Sequence, residues 1–212
     1  MIISDLPKTI PVFPLSNAIF FPNTVLPLNI FEQKYIQLVD DCMKGQRLFG
    51  MIQPRFKSNI KGEVYNVGCL GKIITFNETK DKRFTINLSG VIRFRIKKEI
   101  VTSKLYREFN VDYSDFISDL NTKKNDANKI KIRSLFQKVK SYLKKKNYLI
   151  EFNELEKLSA DQLLSTISMI SPFSLEEKQK LIETTNVEEK MIALEEIINF
   201  SLFDDLENKT LQ

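Results

Sequence analysis

The hydrophobic pattern of this chain changes period twice, and the changes divide it into parts. From Ile10 to Tyr35 it reads IPVFPLSNAIFFPNTVLPLNIFEQKY. Each proline biases its predecessor toward extended geometry, so TIPVFPL is predicted as a strand and Pro22 and Pro27 mark turns or strand edges. Phe31, Tyr35, Leu38, Val39 and Cys42 then fall three or four apart, which predicts an amphipathic helix over 30–44 with Gly45 at its C′ position. After it the period is two. RLFGMIQP is a strand stopped by Pro54, FKSNIKGEV a surface loop, and VYNVGCLGKIITF a strand in which Gly68 and Gly71 mark a bulge or a close approach. NETKDKR is a polar connection. FTINLSGVIRFRIKKEI alternates through Phe84, Ile86 and Leu88 and again, after Gly90, through Ile92, Phe94 and Ile96. LYREFNVDY sets Leu105, Phe109, Val111 and Tyr113 on one parity.

The remainder reads as helices. Residues 126–146 place Ile132, Leu135 or Phe136, Val139 and Tyr142 or Leu143 on one face. Ser159 with Gln162, Ser174 with Glu177 and Asn186 with Glu189 have the cap-to-N3 spacing of helix starts. Leu163, Leu164, Ile167 and Ile170 form a stripe ending before Pro172; Met191, Leu194, Ile197 and Ile198 form another, extending toward Leu206. The expected organisation is α+β: a mixed β subdomain with one helix over 1–118 and an α-helical subdomain over 119–212.

Composition adds bounds. The chain has 212 residues, 42% of them hydrophobic and 10% aromatic, enough for a real core. No run of eighteen apolar residues suggests a membrane span, and MIISDLPKTI lacks the form of a secretory signal. Cys42 and Cys69 are too few for a disulfide framework and lack metal-ligand spacing, as expected of buried thiols in a reducing cytoplasm. The net charge of +5 hides a dipole. Residues 1–120 carry 17 basic and 12 acidic side chains, 121–150 carry 10 and 1, and 151–212 carry 5 and 14. The basic segment and the acidic helices after it are expected to attract one another.

The chemistry is sparse. With no histidine, the commonest general base and metal ligand is missing, and Ser-His and Cys-His pairs cannot be built. No stretch matches a P-loop or a G-x-G-x-x-G loop. The reading is non-enzymatic, with no cofactor and no metal. KIKIRSLFQKVKSYLKKK could line a phosphate-contacting stripe with Lys129, Lys131, Arg133, Lys138, Lys140 and Lys144, Lys145 and Lys146, which gives an alternative function as an RNA-binding module over 129–146. Against it, the stripe carries no stacking aromatic motif and reads first as a solvated helix face.

PVFPLSNAIFFPNTVLPLNIFEQKY followed by LVDDCMKGQRLFGMI resembles the amino-terminal substrate-binding domain of Lon proteases. The likeness rests on Pro14-Leu15, Pro22, the run from Leu26 to Glu32, Tyr35 and Gly50. It continues through VGCLGKI and INLSGVIRFRI, whose Gly90, Arg93, Phe94 and Ile96 match a G-x-x-R-F-x-I ending, and more weakly through SLEEKQKLIETTNVEEKMIAL. The resemblance implies a pseudo β-barrel, similar to the PUA-like barrels of some RNA-binding domains, followed by a small helical bundle. It implies a protein- or peptide-binding role in protein quality control, with unfolded or exposed protein segments as partners and no membrane. The stretch lacks the ATPase and peptidase that a full Lon protease carries, like the stand-alone members, and the likeness leaves oligomeric state open. Many members have histidine where Asn29 stands. The binding candidates are Phe20, Phe21, Asn29, Phe31, Glu32 and Tyr35. Phe20 and Phe21 are adjacent, so in an extended chain one of them is expected to face outward. Phe31 and Tyr35 either pack on the barrel or meet a partner. Glu32 is either exposed or held as a cap or by Arg93.

Overall fold

The computed structural model describes residues 2–16, 18–55, 60, 62–120, 129–148 and 150–210, without the side chains of 129, 130 and 204–210. The chain divides into two compact units, Met1–Thr122 and Lys123–Gln212.

Unit 1 contains β1 (Thr9–Pro14), β2 (Val25–Ile30), α1 (Gln33–Met43), β3 (Leu48–Ile52), β4 (Val67–Glu78), β5 (Phe84–Ile100) and β6 (Arg107–Asp112), with short 3-10 turns at Ile3–Asp5 and Ser114–Leu120. The strand order is β2-β5-β4-β3-β1-β6, and β6 returns to pair with β5. Five strands thus close a barrel, and β2 lies outside the closed ring. Closure depends on the length of β5. Its first half, Phe84 to Ser89, pairs with β2, and its second half, Arg95 to Ile100, pairs with β6. β1 and β3 are parallel, which demands a crossover; β2 and α1 supply it.

The alternation read from the sequence sorts the strands as expected. Phe84, Ile86, Leu88, Ile92 and Phe94 are buried, as are Phe109, Val111 and Tyr113. Leu105 is a correction: it is exposed in the loop before β6, and Tyr106 is buried instead, its hydroxyl donating to Asp41 Oδ2 at 2.9 Å. The glycines expected to mark irregularity do so. The β4–β5 register shifts between Leu70 and Gly71, and a Cβ on Gly68 would overlap the Met51 carbonyl and the Phe94 ring. Midway along β5, Arg93 is buried. Its Nε and NH2 donate to Asp119 at 2.9 and 2.8 Å, its backbone N–H donates to the same carboxylate, and its guanidinium lies 4.5 Å from the Phe116 ring centroid.

The helix predicted over 30–44 begins later. Ile30 ends β2, and Phe31 and Glu32 form the junction. Gly45 follows the C-cap Lys44 as predicted, but the left-handed residue that turns the chain is Arg47, at φ 61°. Most of the loop predicted at FKSNIKGEV lies outside the described residues.

Unit 2 contains α2 (Lys129–Lys145), α3 (Phe152–Leu155), α4 (Ala160–Ile170), α5 (Leu175–Glu183) and α6 (Val187–Thr210). Ser159 and Ser174 form reciprocal capping boxes with Gln162 and Glu177, and Asn186 Oδ1 accepts from the Glu189 N–H at 2.9 Å. Ile132, Leu135, Phe136, Val139, Tyr142 and Leu143 are all buried. The predicted start of α2 at Asp126 and the stripe's end at Leu206 lie outside what is described of backbone and side chains respectively.

Candidate protein-binding site

The six residues singled out for binding separate cleanly. Phe20 and Phe21 are 2% and 0% exposed, which corrects the expectation that one of them faces outward. The chain from Ile19 to Pro22 is not an extended strand, so the alternation that would send one ring to solvent does not apply there. The Phe21 carbonyl lies where a Gly90 side chain would be, and Asn23 N–H and Gly90 N–H donate to Gly90 O and Thr24 O at 3.0 and 2.9 Å. Gly90 is therefore the seat of the opening run. Tyr35 is buried as well, its ring stacked on Phe13 at 3.9 Å between centroids; such pairs contribute about 0.5–1.5 kcal/mol beyond area burial.

Asn29, Phe31 and Glu32 remain, and all three are exposed where β2 runs into α1. Phe31 is 63% exposed. Its helical spacing from Tyr35 is real in the sequence but idle in the structure, because Phe31 lies before the first turn of α1. Glu32 occupies the N-cap without a side-chain cap bond, and it is not paired with Arg93, whose carboxylate partner is Asp119. It holds Lys34 at 2.9 Å, which raises the Lys34 pKa, and Lys34 Nζ lies 4.5 Å from the Tyr35 centroid. Arg83, from the β4–β5 hairpin, brings its guanidinium 6.0 Å from the Phe31 centroid. The junction is thus an exposed aromatic ring with a carboxylate beside it in the chain and a guanidinium across it. It suits an apolar side chain flanked by polar backbone, and offers no nucleophile–base pair. Among the described residues, no three His, Cys, Asp or Glu side chains come together as a metal site, and no helix is long and apolar enough to cross a membrane.

β2, the first half of β5 and the second half of β4 form a three-stranded sheet outboard of the barrel. Asn29 faces Thr85, which in turn faces Asn77, and Asn77 Nδ2 lies 3.5 Å from Thr85 Oγ1. Three exposed apolar residues here were not singled out from the sequence: Val25, Ile74 and Phe76. Ile74 had a signal, since Ile73-Ile74 breaks the alternation of β4; the register does shift there.

The alternative anion-binding residues lie in unit 2. Lys144 and Lys145 are exposed at the end of α2 and Lys146 is half-buried. Midway along the helix the cations face acidic partners: Lys138 pairs with Glu195 of α6 and Lys140 with Glu156, and Lys140 Nζ also lies 4.8 Å from the Phe136 centroid. The attraction expected between basic and acidic segments is realised by these pairs. The side chain of Lys129 is outside the described residues.

A family model for the ATP-dependent protease La (LON) substrate-binding domain matches residues 9–199. The chain is 29% identical over 210 residues to a Lon protease of Desulfosudis oleivorans, covering 93% of this chain and 24% of that one. It is 25% identical over 208 residues to Lon protease 2 of Myxococcus xanthus, covering 92% and 24%. It therefore spans about a quarter of the length of these curated relatives. Two solved structures share the fold. A Lon N-terminal domain protein from Xanthomonas campestris superposes with a TM-score of 0.63 at 19% identity, over 89% of this chain and 97% of that one. The N-terminal domain of a Mycobacterium avium complex Lon protease gives 0.68 at 15% identity, over 91% and 98%. The match runs through the barrel closed by a long β5, the opening run seated on Gly90 and the helical unit that follows in the chain, and the chain belongs to the LON substrate-binding domain family.

Proposed function

We propose that this chain is a non-catalytic protein-binding domain that holds exposed or unfolded protein segments in the cytoplasm, as an adaptor or regulator in protein quality control. The observation that carries this is Phe31. A ring 63% exposed at a strand–helix junction, with Asn29 and Glu32 beside it and Arg83 across it, suits a binding anchor better than a packing residue. Phe20, Phe21 and Tyr35 serve the site from beneath by fixing the junction on the barrel. The family match to a substrate-binding domain supports the same reading.

The test is binding of a reduced, alkylated, permanently unfolded protein without nucleotide, compared with its native form. Phe31→Ser is expected to weaken capture of the unfolded form about tenfold or more, the scale of an anchoring aromatic. Equal capture of native and unfolded protein, or no effect of Phe31→Ser, would sink the proposal. Binding of RNA that falls steeply with salt and is lost when Lys144, Lys145 and Lys146 are neutralised would put the basic segment in its place.

A further inference from the structure

The outboard sheet has two long edges, and they are built differently. On β2 the N–H groups of the parity that contains Pro27 point away from β5. Gly90 N–H donates to Thr24 O, so pairing with β5 falls on Leu26, Leu28 and Ile30. Pro27 therefore removes a donor from the middle of that edge, a common protection of exposed strands. On β4 the hairpin is closed by Thr79 N–H donating to Arg83 O at 2.9 Å. Counting back by two, Asn77 pairs with β5 through its backbone, and the N–H and C=O of Phe76 and Glu78 point away from it. β3 pairs with β4 only from Cys69 to Lys72, and Arg47 O takes the Ile73 N–H. Beyond that, among the described residues, no strand pairs with Ile74 to Glu78 on the side away from β5.

This edge has no proline. Its side chains are Ile74, 51% exposed, and Phe76, 38% exposed, whose ring meets buried Phe84 at 4.9 Å between centroids. We propose that the Ile74 to Glu78 edge of β4 is a strand-addition site, which takes an extended segment of another protein carrying an apolar residue opposite Phe76. This rests on the protein-binding reading above and places a second contact on it. An outward row of backbone donors and acceptors is matched by another extended backbone. An incoming strand would also cover the exposed part of Phe76 and extend the apolar face that Phe84 begins. A second copy of this chain fits poorly. Antiparallel self-pairing centred on Phe76 sets Ile74 against the Glu78 carboxylate, and a shift toward Ile73 meets the backbone already bonded to Arg47.

The probe is a fluorescein-labelled octapeptide of alternating valine and threonine flanked by lysines, with a control methylated on the backbone nitrogens of one edge and a second methylated on the other. Wild type is expected to bind the unmethylated peptide and one methylated form, and to lose the other. Phe76→Pro, which deletes an outward donor, is expected to weaken binding about tenfold. If Phe76→Pro does not fold, the two methylated peptides on wild type decide alone. No binding to wild type, or equal binding of both methylated forms, overturns the proposal. So does a wild-type dimer in sedimentation that Phe76→Pro converts to monomer, since that assigns the edge to self-association. If the edge fails while Phe31→Ser still weakens capture of unfolded protein, the protein-binding reading stands without it.

Discussion

β5 is one strand with two environments. From Ile92 to Phe94 it is barrel wall: β4 pairs along it, in the gap between the β2 pairing that ends at Ser89 and the β6 pairing that begins at Arg95, Phe94 fills the space above Gly50 and Gly68, and Arg93 is clamped to Asp119 through both its guanidinium and its backbone N–H. From Phe84 to Ser89 it carries a sheet outside the closed ring, with one face buried by Phe84, Ile86 and Leu88 and the other set with Thr85, Asn87 and Ser89. The alternation is the same in both halves. What differs is closure. Where the ring closes, strands have strand neighbours on both sides; in the outboard sheet, among the described residues, β2 and the end of β4 have a strand on one side only, and Phe31 stands exposed where β2 ends.

The largest expected contrast comes from the closed half. Arg93→Ala leaves the buried Asp119 carboxylate, whose side chain is 9% exposed, without its guanidinium partner and with only the backbone N–H of residue 93 on it from this strand. It is expected to lower unfolding stability by about 3–5 kcal/mol in urea titrations. A loss below about 1 kcal/mol would mean that the clamp does not hold the barrel wall. Gly90→Ala tests the boundary between the halves, because its Cβ would overlap the Phe21 carbonyl. Backbone against backbone has little room to give, so a loss of about 1–3 kcal/mol is expected. Fluorescence-detected unfolding that matches wild type would show that the opening run is not seated there.

In the outboard half the contrast narrows to single residues. Asn77→Pro removes a donor that pairs with β5, and Phe76→Pro one that points outward. The first is expected to cost about 1–3 kcal/mol more than the second. Equal melting temperatures would reverse the edge assigned to β4. The smallest effect is a slope. Burial pushes the Cys42 thiol up to about 12 from 9.0. The unfolded chain therefore ionises first as pH rises, so this contribution is full below pH 9 and is lost between 9 and about 12. Cys42→Ala is expected to flatten that part of the stability-versus-pH curve; an unchanged slope would show that the thiol titrates normally in the fold.

Much of this was legible in the sequence. The period of two located the strands and their inward residues, and cap spacings located α4, α5 and α6. The basic–acidic imbalance anticipated Lys138–Glu195 and Lys140–Glu156. The failures share one cause. The sequence reads Phe20 and Phe21 as locally extended and Phe31 as helical, while of the alternatives it leaves for Glu32 the exposed one is found. Local periodicity says which side of an element a residue takes, but it is silent where an element ends, and the three phenylalanines lie at or between element ends. The candidate residues are therefore legible only as a stretch, and three of the six, Phe20, Phe21 and Tyr35, are buried in the fold.

The sequence by itself determined the alternation of the strands, the helix starts, the charge dipole and the family, because these rest on spacing and residue type along the chain. Only the tertiary structure decided that β5 is long enough to serve two sheets, that Gly90 seats Phe21, that Pro27 lies on an open edge and that Phe31 reaches solvent. Each of those depends on which segments pair with which, and pairing between residues far apart in sequence is set by the packing of the whole unit rather than by any local pattern.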